Sequence, residues 1–278
     1  MDTNCNTVDG MNAGNPAAPV KEKKGLSGST LKLIAIITMF IDHFGAAVVC
    51  RMLMDRGLNS LNTGDVATVQ QWLADNATLY MIYNIMRMIG RVAFPIFCFL
   101  LVQGFEHTHD KRKYAFRLGL FAVISEIPFD LAFSSKILEF NYQNVFFTLF
   151  IGLLTMWACN YVEQKETWGK VPKVLLSIVI VAAGMCIAKL LKTDYDATGV
   201  FCIMVLYFLR SNKVYQILGG CLSFLWELTA PLAFIPIGFY NGKRGWKMKY
   251  FFYIFYLTHL LLLYVICYFM GISQYPVV

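Results

Sequence analysis

Eight stretches of predominantly apolar residues recur along this chain, at residues 31–53, 79–105, 114–133, 144–162, 174–191, 198–209, 215–240 and 250–270. Where no water can reach the backbone, a segment must satisfy its own N–H and C=O groups. A helix of about 20 residues is the length that does this across a bilayer. Most of the eight meet that length, so the chain reads as all-α, a polytopic transmembrane helical bundle. Composition agrees: 58% of the 278 residues are hydrophobic and 15% charged, against roughly 25% charged in soluble domains. That balance excludes a soluble globular protein and a disordered one. The excess of 24 Lys+Arg over 17 Asp+Glu is too thin for a nucleic-acid partner and fits the positive cytoplasmic rim of a multi-pass protein.

The basic residues set an orientation. Lys21, Lys23 and Lys24 precede the first run, Lys111, Arg112 and Lys113 follow the second, Lys165, Lys170 and Lys173 the fourth, and Arg210 and Lys213 the sixth. Short cytoplasmic loops retain positive charge, so the N-terminus is placed in the cytoplasm. Lys243, Arg244, Lys247 and Lys249 would lie outside if residues 215–240 crossed once. That stretch carries Glu227, Pro231 and Pro236, and a broken or re-entrant pair of short helices would return the basic loop to the cytoplasm. The expectation is therefore eight to nine crossings. Residues 1–29, polar and without a signal peptide's order, read as a disordered cytoplasmic tail, and residues 30–278 as one transmembrane domain. The longest outer loop is expected at 54–78. The eight cysteines form no C-x-x-C pair and read as small buried hydrophobes rather than a disulfide framework or zinc site.

A charged side chain at bilayer depth costs about 2.5 to 3.5 kcal/mol on insertion scales, so the few that remain there serve packing or chemistry. They are Asp42, His43, Arg87, Arg91, Glu126, Asp130, Glu227 and His259. Arg87 and Arg91 are four apart, as are Glu126 and Asp130, so each pair shares a helix face. Two readings stand: a structural ion-pair ladder between the second and third runs, or a site that orients an anion or substrate. His43 lies slightly beyond the midplane, where an imidazole suits a general base; a polar helix contact is the alternative for it and for His259. Asp42, about 100° away on the helix, is better placed to meet an Arg of another span. His107 and His109 lack a third ligand at metal spacing, and no metal is expected. Lys243 and Arg244, in a glycine-flanked turn, either obey the topology rule or hold phosphates of a cytosolic donor.

Several strings together resemble the TraX family, whose founding member acetylates conjugative pilin: LKLIAIITMFIDHFGA (31–46), IGRVAFPIFCFLLVQGFEHT (89–108), NVFFTLFIGLL (144–154), DYDATGV (194–200), and YNGKRG followed by KYFFYIFYLTHLLLL (240–263). Leu257 departs from the pattern, at a position where a proline is expected. The resemblance implies an integral-membrane acyltransferase of the bacterial plasma membrane. Its donor would be acetyl-CoA or another acyl-CoA, and its acceptor an amine or hydroxyl of an exported or surface pilin-like protein, peptide or glycan. On that analogy His43, Asp42 and Arg91 are catalytic: His43 as base or acyl carrier, Asp42 as its electrostatic support, Arg91 as the orienting cation. Arg87, Glu126, Asn144, His259, Lys243 and Arg244 would bind donor or acceptor. The competing readings are a proton-coupled transporter or flippase with a relay of His43, His259, Glu126 and Glu227, and a non-catalytic assembly factor for a pilus or surface polymer.

Overall fold

The computed structural model describes residues 24–246 and 249–277; the expected tail, residues 1–23, lies outside them. Among the described residues eleven α-helices succeed one another: α1 Gly28–Phe44, α2 Cys50–Asp55, α3 Val66–Gly90, α4 Ala93–His107, α5 Lys111–Ser134, α6 Val145–Glu163, α7 Lys170–Leu190, α8 Asp196–Phe208, α9 Lys213–Ser223, α10 Phe234–Gly238 and α11 Lys249–Phe269. Five helical units in the same residues are long and apolar enough to cross a membrane: Gly28–Asp55, Val66–His107, Val145–Glu163, Lys170–Leu190 and Phe251–Phe269. Helix α5 has comparable length but carries charge near its start and in its second half, and α8 is shorter.

The first apolar run is one continuous helical path with a π-helical turn at Gly45–Val49, where Cys50 N donates to Gly45 O. Such a turn inserts one residue and rotates everything that follows, here directly after Asp42 and His43. The path starts earlier than the sequence suggests: Ser27 Oγ accepts from Thr30 N at 3.2 Å, and Leu26, assigned above to the tail, donates to Phe239 O at 2.8 Å. The expected outer loop at 54–78 is also shorter. Asp65 caps α3, accepting from the N–H groups of Ala67 and Thr68, so most of that stretch is helix.

Residues 215–240 break as the two prolines suggest, into α9, a 3₁₀ turn at Ala230–Ala233, and α10. The ends of the segment meet, with Lys213 Nζ donating to Tyr240 O at 2.9 Å, so the chain returns to the end of the bundle from which α9 starts. The turn that follows packs against the start of α1 through Gly28 N to Lys243 O at 2.8 Å and Ser29 N to Arg244 O at 3.0 Å. At the same end Arg210 bridges Glu106 at 3.1 Å and Glu163 at 2.8 Å, and Lys111 donates to Asn160. The basic loops therefore share one end of the bundle, called here the basic end.

At the other end Arg51, fully buried, donates to the carbonyls of Tyr275 at 2.7 Å and Ala132 at 2.5 Å and to Ser135 Oγ at 2.9 Å. Val277 N donates to Phe133 O at 2.7 Å, so the C-terminal segment is strapped across that end. The main core, from Leu31 and Phe94 through Met156 and Ile203 to Phe234, lies between α4, α6 and α8. Helix α7 leaves Val174, Leu175, Ile178 and Val179 more than half exposed, an apolar face of the kind lipid covers in a membrane protein.

Candidate functional site

Two adjoining cavities open among the helices. The first, about 380 Å³, is lined by Asp42, Asp194, Asp196 and Glu227 against two guanidiniums, Arg87 and Arg91, with His43 and the aromatic rings of Tyr83, Phe94, Tyr142, Tyr195 and Trp226. The second, about 480 Å³, is lined by Lys32, Arg117 and Arg244 and has no carboxylate among its described lining residues. Met39, Phe97 and Val145 line both and so form a common wall. Helix α1 runs past both cavities: Lys32 faces the basic one and His43 the acidic one. The two are eleven residues apart, roughly 16 Å at 1.5 Å per residue.

The ion pairs replace the expected ladder. Arg87 Nη1 meets Asp42 Oδ2 at 2.8 Å and Arg91 Nη1 meets Glu227 Oε1 at 2.9 Å. Helix α3 lies along α1 because Gly90 has no side chain; a Cβ there would overlap the Asp42 side chain. Neither acid of α5 takes part. Glu126 accepts from Asn144 N at 3.3 Å and from Asn144 Nδ2 at 2.5 Å, and Asp130 accepts from Glu139 N at 2.7 Å. The physical reason lies beside them: each acid finds backbone or amide donors in the residue 135–144 connection, close in sequence, whereas the guanidiniums reach acids on α1 and after α9. Glu126 and Asn144, read above as donor- or acceptor-binding, line neither cavity. Asn144 instead caps α6, accepting from Phe146 N at 2.9 Å. Arg244 lines the basic cavity, and Lys243 stands next to it on the turn that holds α1.

His43 and His259, 216 residues apart, are in direct contact, with His43 Nδ1 and His259 Nε2 separated by 2.7 Å. Their protons can be assigned by elimination. His259 Nδ1 lies 2.8 Å from the Phe255 carbonyl, which only accepts, so Nδ1 carries the hydrogen. With both rings neutral, His259 Nε2 is then an acceptor and His43 Nδ1 donates to it. The remaining nitrogen of His43, Nε2, is left with a free lone pair. A carbonyl, a histidine and a second histidine thus fix tautomer and orientation, the task an Asp performs in a Ser-His-Asp triad. Phe133 and Tyr256 stand edge-on to His43 at centroid distances of 5.4 and 6.0 Å, while Phe255 stacks on His259 at 5.0 Å. Asp42 touches Arg87 rather than either imidazole.

Several buried polar atoms here have no partner within the protein: Asp42 Oδ1 and Glu227 Oε2 at the acidic cavity, and Arg117 Nε and the Tyr256 hydroxyl among residues of the basic one. Buried polar groups are satisfied in the great majority of cases, so these four atoms leave unmatched hydrogen-bonding capacity in residues that line the two cavities. Among the described residues no cluster of three or more His, Cys, Asp or Glu is arranged to hold a metal ion.

The site also contains residues that sequence reasoning did not place there. Asp194 accepts a hydrogen bond from Tyr142, and Tyr195 stacks on Phe94 with centroids 3.5 Å apart. Both belong to the DYDATGV string, whose glycine, Gly199, lets α8 approach α6 so closely that a Cβ would lie 2.6 Å from Thr148 Cγ2. The string was visible, but nothing in it marked a side of the bundle.

A helical bundle with five helical units long and apolar enough to cross a membrane and an apolar outer face on α7 is a multi-pass membrane protein. The family model described as TraX protein matches residues 27–267, and the chain belongs to the TraX family. It is also 27% identical over 268 residues to a "Probable fimbrial assembly protein FimC, serogroup H1" of Dichelobacter nodosus, across 85% of this chain and 94% of that one. No solved structure matches the chain.

Proposed function

We propose that the protein is a membrane acyltransferase that moves an acyl group, acetyl in the simplest case, from acyl-CoA to an amine or hydroxyl of an exported or surface acceptor. One observation carries this reading: the bundle holds two cavities of opposite charge that meet at the wall of Met39, Phe97 and Val145, next to His43. Three cations with no carboxylate among the described lining suit the phosphates of a CoA, and the apolar remainder of the basic cavity suits its linear arm. Four carboxylates against two guanidiniums suit an acceptor that brings hydrogen-bond donors or positive charge. Direct transfer then balances simply. His43 Nε2 takes the proton from the attacking nitrogen or oxygen, a new C–N or C–O bond forms, the thioester C–S bond breaks, and the proton passes to the departing sulfur. Arg87 and Arg91 have their charge shared with Asp42 and Glu227 and fit a positioning role.

In this reading the basic end faces the cytoplasm, following the positive-inside rule. Leu26 pairs at the basic end and Val277 at the other, which calls for an odd number of passes: seven plus the re-entrant segment, or nine if both its limbs cross. An acceptor of the pilin type is in keeping with the fimbrial name of the Dichelobacter nodosus relative. That name equally suits an assembly factor without chemistry. A proton relay through four groups has less support, because Glu126 is bonded to Asn144 away from the histidine pair.

Titration calorimetry of the detergent-purified protein with acetyl-CoA, followed by a thiol-release assay with glycinamide as amine probe, tests the proposal. Wild type should bind and consume acetyl-CoA, and His43→Ala should bind it but lose roughly 100-fold or more in rate. Intact wild-type protein that binds no acetyl-CoA, or His43→Ala that turns over normally, overturns the reading.

A further inference from the structure

Acyl transfer needs a donor for the carbonyl oxygen as negative charge develops on it, and the two arginines are poorly placed to supply one. Each guanidinium already faces a carboxylate, Arg87 with Asp42 and Arg91 with Glu227. Both line the acidic cavity rather than the basic one through which the thioester would arrive. The donor should lie on the thioester's side, be buried, have no competing partner and stand next to the base. Tyr256 meets all four conditions. It lines the basic cavity, is 2% exposed, has a hydroxyl without a partner, and sets its ring edge-on to both His43 at 6.0 Å and His259 at 5.5 Å. Phe146, also lining the basic cavity, crosses the Tyr256 ring edge-on at 4.7 Å, which restricts the phenol's swing. A buried hydroxyl left unmatched costs stability in the resting protein; filling it at the reaction centre is a reason for that arrangement to persist.

We propose that the Tyr256 hydroxyl is the oxyanion donor of this site, a catalytic residue that touches the thioester carbonyl. The inference rests on the acyl-transfer reading above. In the step itself the acceptor nitrogen adds to the carbonyl carbon and gives its proton to His43 Nε2. The carbonyl oxygen takes the electron pair and is held by Tyr256 O–H, which keeps its own proton throughout. Collapse re-forms C=O and expels the CoA sulfur, which receives the proton from His43 and leaves as thiol. A fixed donor in a water-poor site stabilises such an oxygen without reorganisation.

The test is Tyr256→Phe in the full-length detergent-purified protein, assayed by thiol release from acetyl-CoA with glycinamide beside wild type and His43→Ala. The expected result is a fall of roughly 100-fold or more in kcat, with KM for acetyl-CoA within error of wild type and a melting temperature equal to or above it, since the unmatched hydroxyl is gone. A Tyr256→Phe protein within threefold of wild-type kcat overturns the assignment while leaving the acyl-transfer reading intact. Wild-type protein that consumes no acetyl-CoA removes both. Should Tyr256→Phe fold poorly, 3,5-difluorotyrosine at position 256 keeps the shape and makes the phenol a stronger donor. Its kcat should then shift severalfold, and an unchanged kcat overturns the proposal.

Discussion

The histidine pair makes a quantitative demand on His259. Its ring presents an acceptor to His43 Nδ1–H at 2.7 Å and is itself fixed by the Phe255 carbonyl at 2.8 Å. Replacing it by Phe keeps an aromatic ring to stack on Phe255, now 5.0 Å away, but removes the acceptor. When His43 takes a proton, the bond it loses in that variant is one to a charged ring, worth about 1.5 to 3 kcal/mol. At about 1.36 kcal/mol per tenfold the rate should fall roughly 10- to 150-fold. The fall should appear in kcat, because His259 lines neither cavity and so leaves KM for acetyl-CoA alone. Steady-state thiol release with glycinamide reads both constants. His259→Gln supplies a carboxamide oxygen where the imidazole acceptor stood and should recover part of the loss. A His259→Phe protein within twofold of wild type refutes the proton assignment and leaves His259 as packing. A loss well beyond about 150-fold refutes it in the other direction, since His259 would then be doing more than accepting a bond from His43.

Two further outcomes test the frame that holds the site. Arg91→Glu places a second carboxylate beside Glu227, a residue whose side chain is 9% exposed, and should destabilise by about 2 to 3 kcal/mol, at or below the foot of the range for broken buried pairs because Arg91 is one-third exposed. Adding Glu227→Arg should restore at least half of the lost melting temperature, whereas adding Glu126→Arg should not, because Glu126 is engaged with Asn144; rescue by Glu126→Arg would restore the ladder that the structure replaces. Arg51→Met should leave the Tyr275 and Ala132 carbonyls without their donor and open the C-terminal segment, detected as faster carboxypeptidase release of the last residues and a loss of about 3 kcal/mol or more at about 1 to 3 kcal/mol for each unmatched group. Arg51→Lys should recover little, since a point charge cannot reach the three groups the guanidinium fork spans; full recovery by Lys contradicts that account.

The helices were legible because their cause is local. A run such as 144–162 states its own length and apolarity, and α6 follows at Val145–Glu163. The break at 215–240 was legible for the same reason, two prolines and an acid, Pro231, Pro236 and Glu227, in one short apolar stretch. Partner choice among the ionisable groups was not local, and there the reading failed. Spacing of four places Arg87 with Arg91 and Glu126 with Asp130 on common faces, but it says nothing about which faces meet. The backbone N–H of Glu139 and the amide of Asn144, a few residues along the chain, had first claim on the two acids of α5.

The histidine pair shows the same limit from the other side. His43 and His259 each stood out as an imidazole at membrane depth, and each could equally have been a polar contact between helices. Nothing in either neighbourhood links position 43 to position 259. Only the packing of α11 against α5 and α1 brings the rings together, and only the Phe255 carbonyl decides which of four nitrogens is left basic. The chemistry proposed here therefore depends on one helix register. A one-residue insertion in α11 between Phe255 and His259 would turn the second imidazole by about 100° and separate it from His43 while leaving every run equally apolar. Such a variant should insert and fold with the same helix content by circular dichroism, yet lose the rate that His259→Phe loses; retention of full activity would show that the pair's contact is incidental to turnover.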